Sequence, residues 1–223
     1  MPKAAAGAIT MLFQLPLEAI LLLVPVLLFS LCFHEFAHAA AAKALGDDTA
    51  ERAGRLTLNP AAHLDLFGTI FLLIAGFGYA KPVPINIRNL KRPRRDDTLI
   101  ALAGPGANLL LAVIAGIGLR LAIPRFDSIE GLTGGLTMDL FRMGFYAMSI
   151  NLSLAMFNIL PIYPLDGSHV VENSLPLEQS MRFRETARYS IFFFLAIMLF
   201  PIVRAVIFAP AHWLARILVG YDL

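Results

Sequence analysis

Two stretches of this chain decide its environment. Thr98 to Leu119 runs for 22 residues, and Met143 to Leu165 for 23, without one Asp, Glu, Lys or Arg. A helix of about 20 apolar residues is what it takes to cross the hydrocarbon of a bilayer. A third uncharged run, Ala19 to Phe33, resumes after Glu35 and continues to Ala42. A fourth, Tyr189 to Val203, continues weakly past Arg204. Of the 223 residues, 58% are apolar and 15% charged, against about 25% charged in a soluble domain. A water-soluble fold of this size has too little interior to hide so many apolar side chains. The expectation is an all-α polytopic membrane protein with about four transmembrane helices. A fifth uncharged stretch, Leu66 to Ala80, has only 15 residues and contains Gly68, Gly76 and Gly78. It is short for a span and reads as a re-entrant or β-hairpin segment in the region 50–80.

The length leaves no room for a separate soluble domain, so one domain over 1–223 is expected. Its core covers 19–170, with a helical extension over 185–220 that is either one bent helix or a span plus an interfacial helix broken at Pro201 or Pro210. The net charge of +2 suggests no nucleic-acid partner. A single cysteine, Cys32, excludes an internal disulfide and a multi-cysteine metal site. The N-terminus is a poor signal peptide, with one Lys and no clear cleavage site. Nine Lys or Arg lie between Lys43 and Arg95, three more between Asp166 and Arg188, and six on the opposite side. The positive-inside rule then puts the 81–97 loop in the cytoplasm and the N-terminus outside. That loop could also touch anionic lipid, although setting topology is a sufficient explanation.

The residues that carry chemistry sit inside the first span. His34-Glu35-Phe36-Ala37-His38 reads H-E-x-x-H. Residues four apart return to nearly the same helix face, so His34 and His38 can hold one zinc. Glu35 lies beside that position, placed to take a proton from a water on the metal. Cys32 points elsewhere and is expected to pack as a small apolar residue. Ionisable groups in a hydrocarbon-embedded helix cost about 2–3 kcal/mol each, so spans carry them mainly for function. A polar packing patch or proton relay is the plainer reading.

A catalytic zinc takes three protein ligands and keeps a position for water. The third long run ends Asn158-Ile-Leu-Pro161-Ile-Tyr-Pro164-Leu-Asp166-Gly167. Pro161 and Pro164 cannot continue an ordinary helix, and Gly167 permits a sharp turn. Asp166 is the expected third ligand, against the plainer reading of a helix-end carboxylate among the headgroups. His38 lies nine residues before Asp47, about 13 Å up the helix. If Leu66–Ala80 does not cross, Asp166 ends on the histidines' side. If it crosses, Asp166 finishes near the opposite face.

Here the sequence resembles the site-2 protease family, the intramembrane zinc metalloproteases. HEFAH and the N-x-x-P-x-x-x-L-D-G of Asn158 to Gly167 look like that family's two signatures. Ala103-Gly-Pro-Gly-Ala-Asn108 is similar to its A-G-P-x-x-N segment. The stretch Leu58 to Gly68, with Asn59-Pro60, His63 and Asp65, resembles a segment of its small bacterial members. The resemblance covers the region from 20 to 170. It implies that His34, His38 and Asp166 bind one Zn2+, that Glu35 is the general base, and that Asn108 and Asn158 handle substrate. It also implies partners: the bilayer and the transmembrane segment of a membrane-protein substrate. The loop after the second span, near 120–140, is too short for the PDZ domain of larger members, and a CBS-type domain after Tyr221 is not expected.

Other residues have weaker claims. Buried amides on spans need partners, and interhelical hydrogen bonding is sufficient for Asn151. His63 could line the channel or the metal's surroundings, although a loop histidine paired with Asp65 is commoner. His169, three residues after Asp166, is a lesser candidate. His212 and Trp213 look like interfacial anchors. The small residues of 39–42 and 101–107 read as helix packing. The expected activity is zinc-dependent peptide hydrolysis within the membrane. The alternative is a metal-ion or proton transporter using the same cluster as a transit site.

Overall fold

The computed structural model describes residues 16–65, 81–122 and 135–220. The expected re-entrant or hairpin stretch Leu66–Ala80 lies outside these. Among the described residues the regular structure is helical throughout, as the sequence implies. Helix α1 spans Leu17–Ala44, and the short α2 and α3 span Thr49–Arg52 and Pro60–His63. Helix α4 covers Pro93–Ala122 and α5 Leu136–Asn158. Then come α6 (Asp166–Ser174), α7 (Leu177–Glu185), α8 (Ser190–Leu199) and α9 (Pro201–Val219). Four of them, α1, α4, α5 and α9, are long and apolar enough to cross a membrane. The chain is a multi-pass membrane protein.

Two span boundaries differ from the uncharged runs. Helix α5 stops at Asn158, not Leu165, because Pro161 and Pro164 hold the following residues in an irregular turn. The fourth span is α9, not Tyr189–Val203. Phe200 leaves the helical region at φ −111° and ψ 105°, as the residue before a proline tends to. Pro201 then opens α9 at its first position, where its missing N–H costs nothing. The preceding α8 has 10 residues, half the length of a span. Pro210 stays inside α9.

Helices α1, α4 and α5 pack antiparallel in chain order. Contacts run from His34 to Asn108 and from His38 back to Ile100. They continue from Asn108 to Asn151, with Gly144 against Leu119. The C-terminal ends of α1 and α5 therefore share a face with the start of α4. Helix α9 closes the bundle through a core of Ala112, Leu119, Met148, Leu152, Ala211, Ala215 and Val219. It approaches α4 so closely that a Cβ at Gly116 would sit 2.7 Å from the Leu218 Cβ. The outer faces, with Leu110, Ile114, Ile202, Val206 and Trp213, are exposed and apolar, as a surface solvated by lipid requires.

The link from α1 to α4 is pinned by a buried carboxylate. Asp47 accepts from the Thr49 and Asn86 backbone N–H groups at 3.1 and 2.7 Å and from Asn89 Nδ2 at 2.8 Å. Arg55 donates to the carbonyls of Ala62 and Lys81. Lys81 N–H donates to the His63 carbonyl at 2.8 Å, so the described chain on either side of 66–80 is joined. Burial opposes charge on Asp47, but the hydrogen bonds from Thr49, Asn86 and Asn89 outweigh it and hold the carboxyl below its ordinary value. Its contribution to stability is therefore present above the unfolded value of about 3.9 and lost as pH falls through the lower folded one. Asp47→Asn should lower stability by about 1–3 kcal/mol near neutrality. The gap to wild type should narrow below about pH 4, read as the difference in thermal unfolding midpoints in detergent.

Candidate metal centre

His34 and His38 lie one turn apart on α1 and are both buried, at 6% and 7% exposure. Their Nε2 atoms are 3.0 Å from each other. Asp166, the first residue of α6, closes the third side, with Oδ2 3.2 Å from His34 Nε2 and Oδ1 3.3 Å from His38 Nε2. One ligand atom from each of the three residues falls within 4.8 Å of the others.

The surroundings fix what these atoms can be. His34 Nδ1 faces Asn108 Oδ1 at 2.6 Å, and His38 Nδ1 faces the Ile100 carbonyl at 2.7 Å. Both partners only accept, so each Nδ1 carries the proton and each Nε2 presents a lone pair. The orientation of the Asn108 amide is set in turn. Its Nδ2 donates to Asn151 Oδ1 at 2.7 Å, and Asn151 Nδ2 donates to Ser30 Oγ at 2.8 Å and the Ala147 carbonyl at 2.8 Å. Turning either amide over would set acceptor against acceptor. Two imidazole lone pairs and a carboxylate thus converge, and among the described residues Asp166 Oδ2 is buried without a hydrogen-bond partner. Two neutral imidazoles and one carboxylate fit a zinc site, which binds such donors and leaves a position for water.

Two glycines make room for this. A Cβ at Gly104 would lie 2.4 Å from His38 Nε2 and 2.6 Å from His34 Cε1. The floor of the site is bare backbone of α4. At Gly167 a Cβ would lie 2.0 Å from the Ile159 carbonyl oxygen, so the start of α6 sits directly on the end of α5. Gly167 is helical and its φ is not positive, so close approach, not a sharp turn, is what requires glycine. The role of Gly104 was not foreseen. The signal was the four-residue spacing of Ile100, Gly104 and Asn108, one stripe of α4 against the histidines.

The other candidate residues fall at varied distances from this chemistry. Glu35 is half-buried beside His34 and makes no hydrogen bond or ion pair with a described residue. Cys32 is packed at 2% exposure, as expected of an apolar residue. Asn108 is fully buried with its amide spent on His34, Asn151 and the Ser30 carbonyl. Its oxygen holds the His34 ring from behind, and both of its amide N–H groups are spent inside the bundle. Asn158 is half-buried and donates back to the Leu154 carbonyl at 3.0 Å. His63 is 1% exposed, faces the Thr57 carbonyl through Nε2 at 2.8 Å, and lies outside the three-ligand group. His169 pairs with Asp97 at 3.1 Å, which raises its pKa despite burial.

Replacing Asn108 by Ala should weaken zinc binding by about 10–100-fold, the usual cost of removing a ligand's hydrogen-bond partner. Gly104→Ala should cost at least as much while the helical circular dichroism is unchanged. Equilibrium dialysis of the purified protein against zinc buffers measures both.

The profile of Peptidase family M50 matches residues 22–201. Three of the relatives each carry the name "Putative zinc metalloprotease". YwhC of Bacillus subtilis is 39% identical over 187 residues, covering 84% of both chains. Rip2 of Mycobacterium tuberculosis is 31% identical over 84% of this chain and 70% of its own. MJ0611 of Methanocaldococcus jannaschii is 30% identical over 74% of this chain and 78% of its own. No solved structure matches. The family profile covers most of the chain and agrees with the zinc-type donor set, so this membrane protein belongs to peptidase family M50, the site-2 proteases, and is a zinc metalloendopeptidase.

Proposed function

We propose that the chain hydrolyses a peptide bond in or near a transmembrane segment of a membrane-protein substrate. One observation carries the reading: His34 and His38, on a helix long and apolar enough to cross the bilayer, meet Asp166 within 4.8 Å. His34, His38 and Asp166 are the proposed ligands. When bound, zinc supplies a Lewis acid that polarises the scissile carbonyl and makes a water easier to deprotonate. Glu35 is the proposed base. With no described partner competing for its carboxylate, it takes a proton from the attacking water and passes it to the leaving amine. Asn108 and the Ile100 carbonyl hold the two imidazoles in the tautomer that can act as ligands.

The substrate must offer an unpaired backbone carbonyl, and helical carbonyls are already hydrogen-bonded. A segment able to unwind near the site is therefore required. The face shared by the ends of α1 and α5 is flanked by at least twelve of the eighteen Lys and Arg residues. That supports a site toward the cytoplasm and an extracytoplasmic N-terminus. The chain acts as one catalytic domain in this reading. Neither the relatives nor the geometry supports a transporter.

Glu35→Gln should keep zinc at the wild-type stoichiometry and slow cleavage by about 10²–10⁴-fold. Asp166→Ala should lose both zinc and cleavage. The assay is mass spectrometry of products from transmembrane peptides co-reconstituted in vesicles. Undiminished cleavage by the Glu35 variant would remove that residue as the base. A scissile bond far outside the bilayer would overturn the intramembrane reading.

A further inference from the structure

On the face of the bundle where α1 ends and α4 begins lies a cleft of about 420 Å³. It is lined by Lys43, Ala44, Leu45 and Gly46 from the end of α1 and the residues after it, by Lys91 and Arg92 just before α4, and by Arg95 and Asp96 in its first turn. Of its four cations, Lys43 is paired with Glu51 at 2.5 Å. Among the described residues Lys91, Arg92 and Arg95 have no carboxylate partner. The one acid in the wall, Asp96, is 5% exposed and accepts from the Arg92 backbone N–H at 2.8 Å, capping the helix. The positive end of the α4 dipole adds to the field.

The cleft lies at a defined depth. Helices α1 and α4 have 28 and 30 residues, or about 42 and 45 Å of rise. The hydrocarbon core is about 30 Å thick, so the ends of both helices reach the headgroup layer. Positive charge on this side is enough to orient the chain, but orientation does not require side chains gathered round a cavity. The neighbouring Arg94 shows the difference: it turns away and donates to the Leu175 carbonyl at 2.9 Å.

We propose that this cleft binds a phosphate group, supplied by the headgroup of an anionic phospholipid, through Lys91, Arg92 and Arg95. Its bound lipid ties the end of the helix that carries His34 and His38 to the start of the helix that carries Gly104 and Asn108.

The test is thermal unfolding of the full chain in a neutral detergent, with phosphatidylglycerol, phosphatidylcholine or inorganic phosphate added. Phosphatidylglycerol should raise the midpoint by several degrees and phosphatidylcholine should not. The double variant Arg92→Gln/Arg95→Gln should need about 30-fold more phosphatidylglycerol for the same rise, as two lost contacts to an anionic surface imply. Arg182→Gln/Arg188→Gln makes the same charge change elsewhere and should respond like wild type. If the first double variant unfolds, Lys91→Gln serves in its place. A rise with inorganic phosphate at the same concentration, lost in the variant, would support the phosphate site with a soluble ligand. Equal effects of the two lipids, or a cleft variant that responds like wild type, would overturn the proposal.

Discussion

Three electron-rich groups held together without a proton between them are the constraint on which this bundle depends. Two imidazole nitrogens 3.0 Å apart and a carboxylate within 3.3 Å of both repel one another. The fold must hold them there by other contacts. It does so through Asn108, the Ile100 carbonyl and the seating of Gly167 on the end of α5. The amide chain from His34 through Asn108 and Asn151 to Ser30 crosses three helices. In hydrocarbon no water can satisfy such groups, so the helices must supply the partners themselves. The same contacts therefore position the ligands and fasten α1, α4 and α5 together.

How far the sequence could be read follows from where each signal lies. That His34 and His38 share one face of α1 was legible because their spacing is local and a helix has one period. Asp166 stands out as a candidate third ligand through its proline-rich approach and the L-D-G resemblance. Its arrival beside the histidines follows from the antiparallel order of α1, α4 and α5. The fourth span differs from the charge-free run because a span does not have to be free of charge. Arg204 and Arg216 lie within α9, where long stems let arginine reach polar surroundings. Gly104 read as a packing residue, since nothing local distinguishes a glycine facing a helix from one facing a ring. Gly167 read as a turn, since its partner, the Ile159 carbonyl, is brought near only by the fold.

Helices α6 and α7 add a second polar layer on the same face. Tyr163 donates to Glu172, which also accepts from Arg184, while His169 and Asn173 hold Asp97 on α4. Burial and the neighbouring Glu172 carboxylate push the Tyr163 hydroxyl up to about 12, so it stays a donor at any physiological pH. The residues following Asp166 are thus fastened to α4 and to the turn before α6.

The bare backbone at Gly104 has a bearing on reading other sequences of this kind. Ligands and base are the residues by which a metallopeptidase is ordinarily judged intact. Here the space of the two proposed histidine ligands is set by an atom that is missing, since the first carbon of any side chain at 104 would stand where the His38 ring lies. A chain could keep His34, Glu35, His38 and Asp166 yet carry alanine at that position. It would spell the enzyme correctly and fail to assemble it.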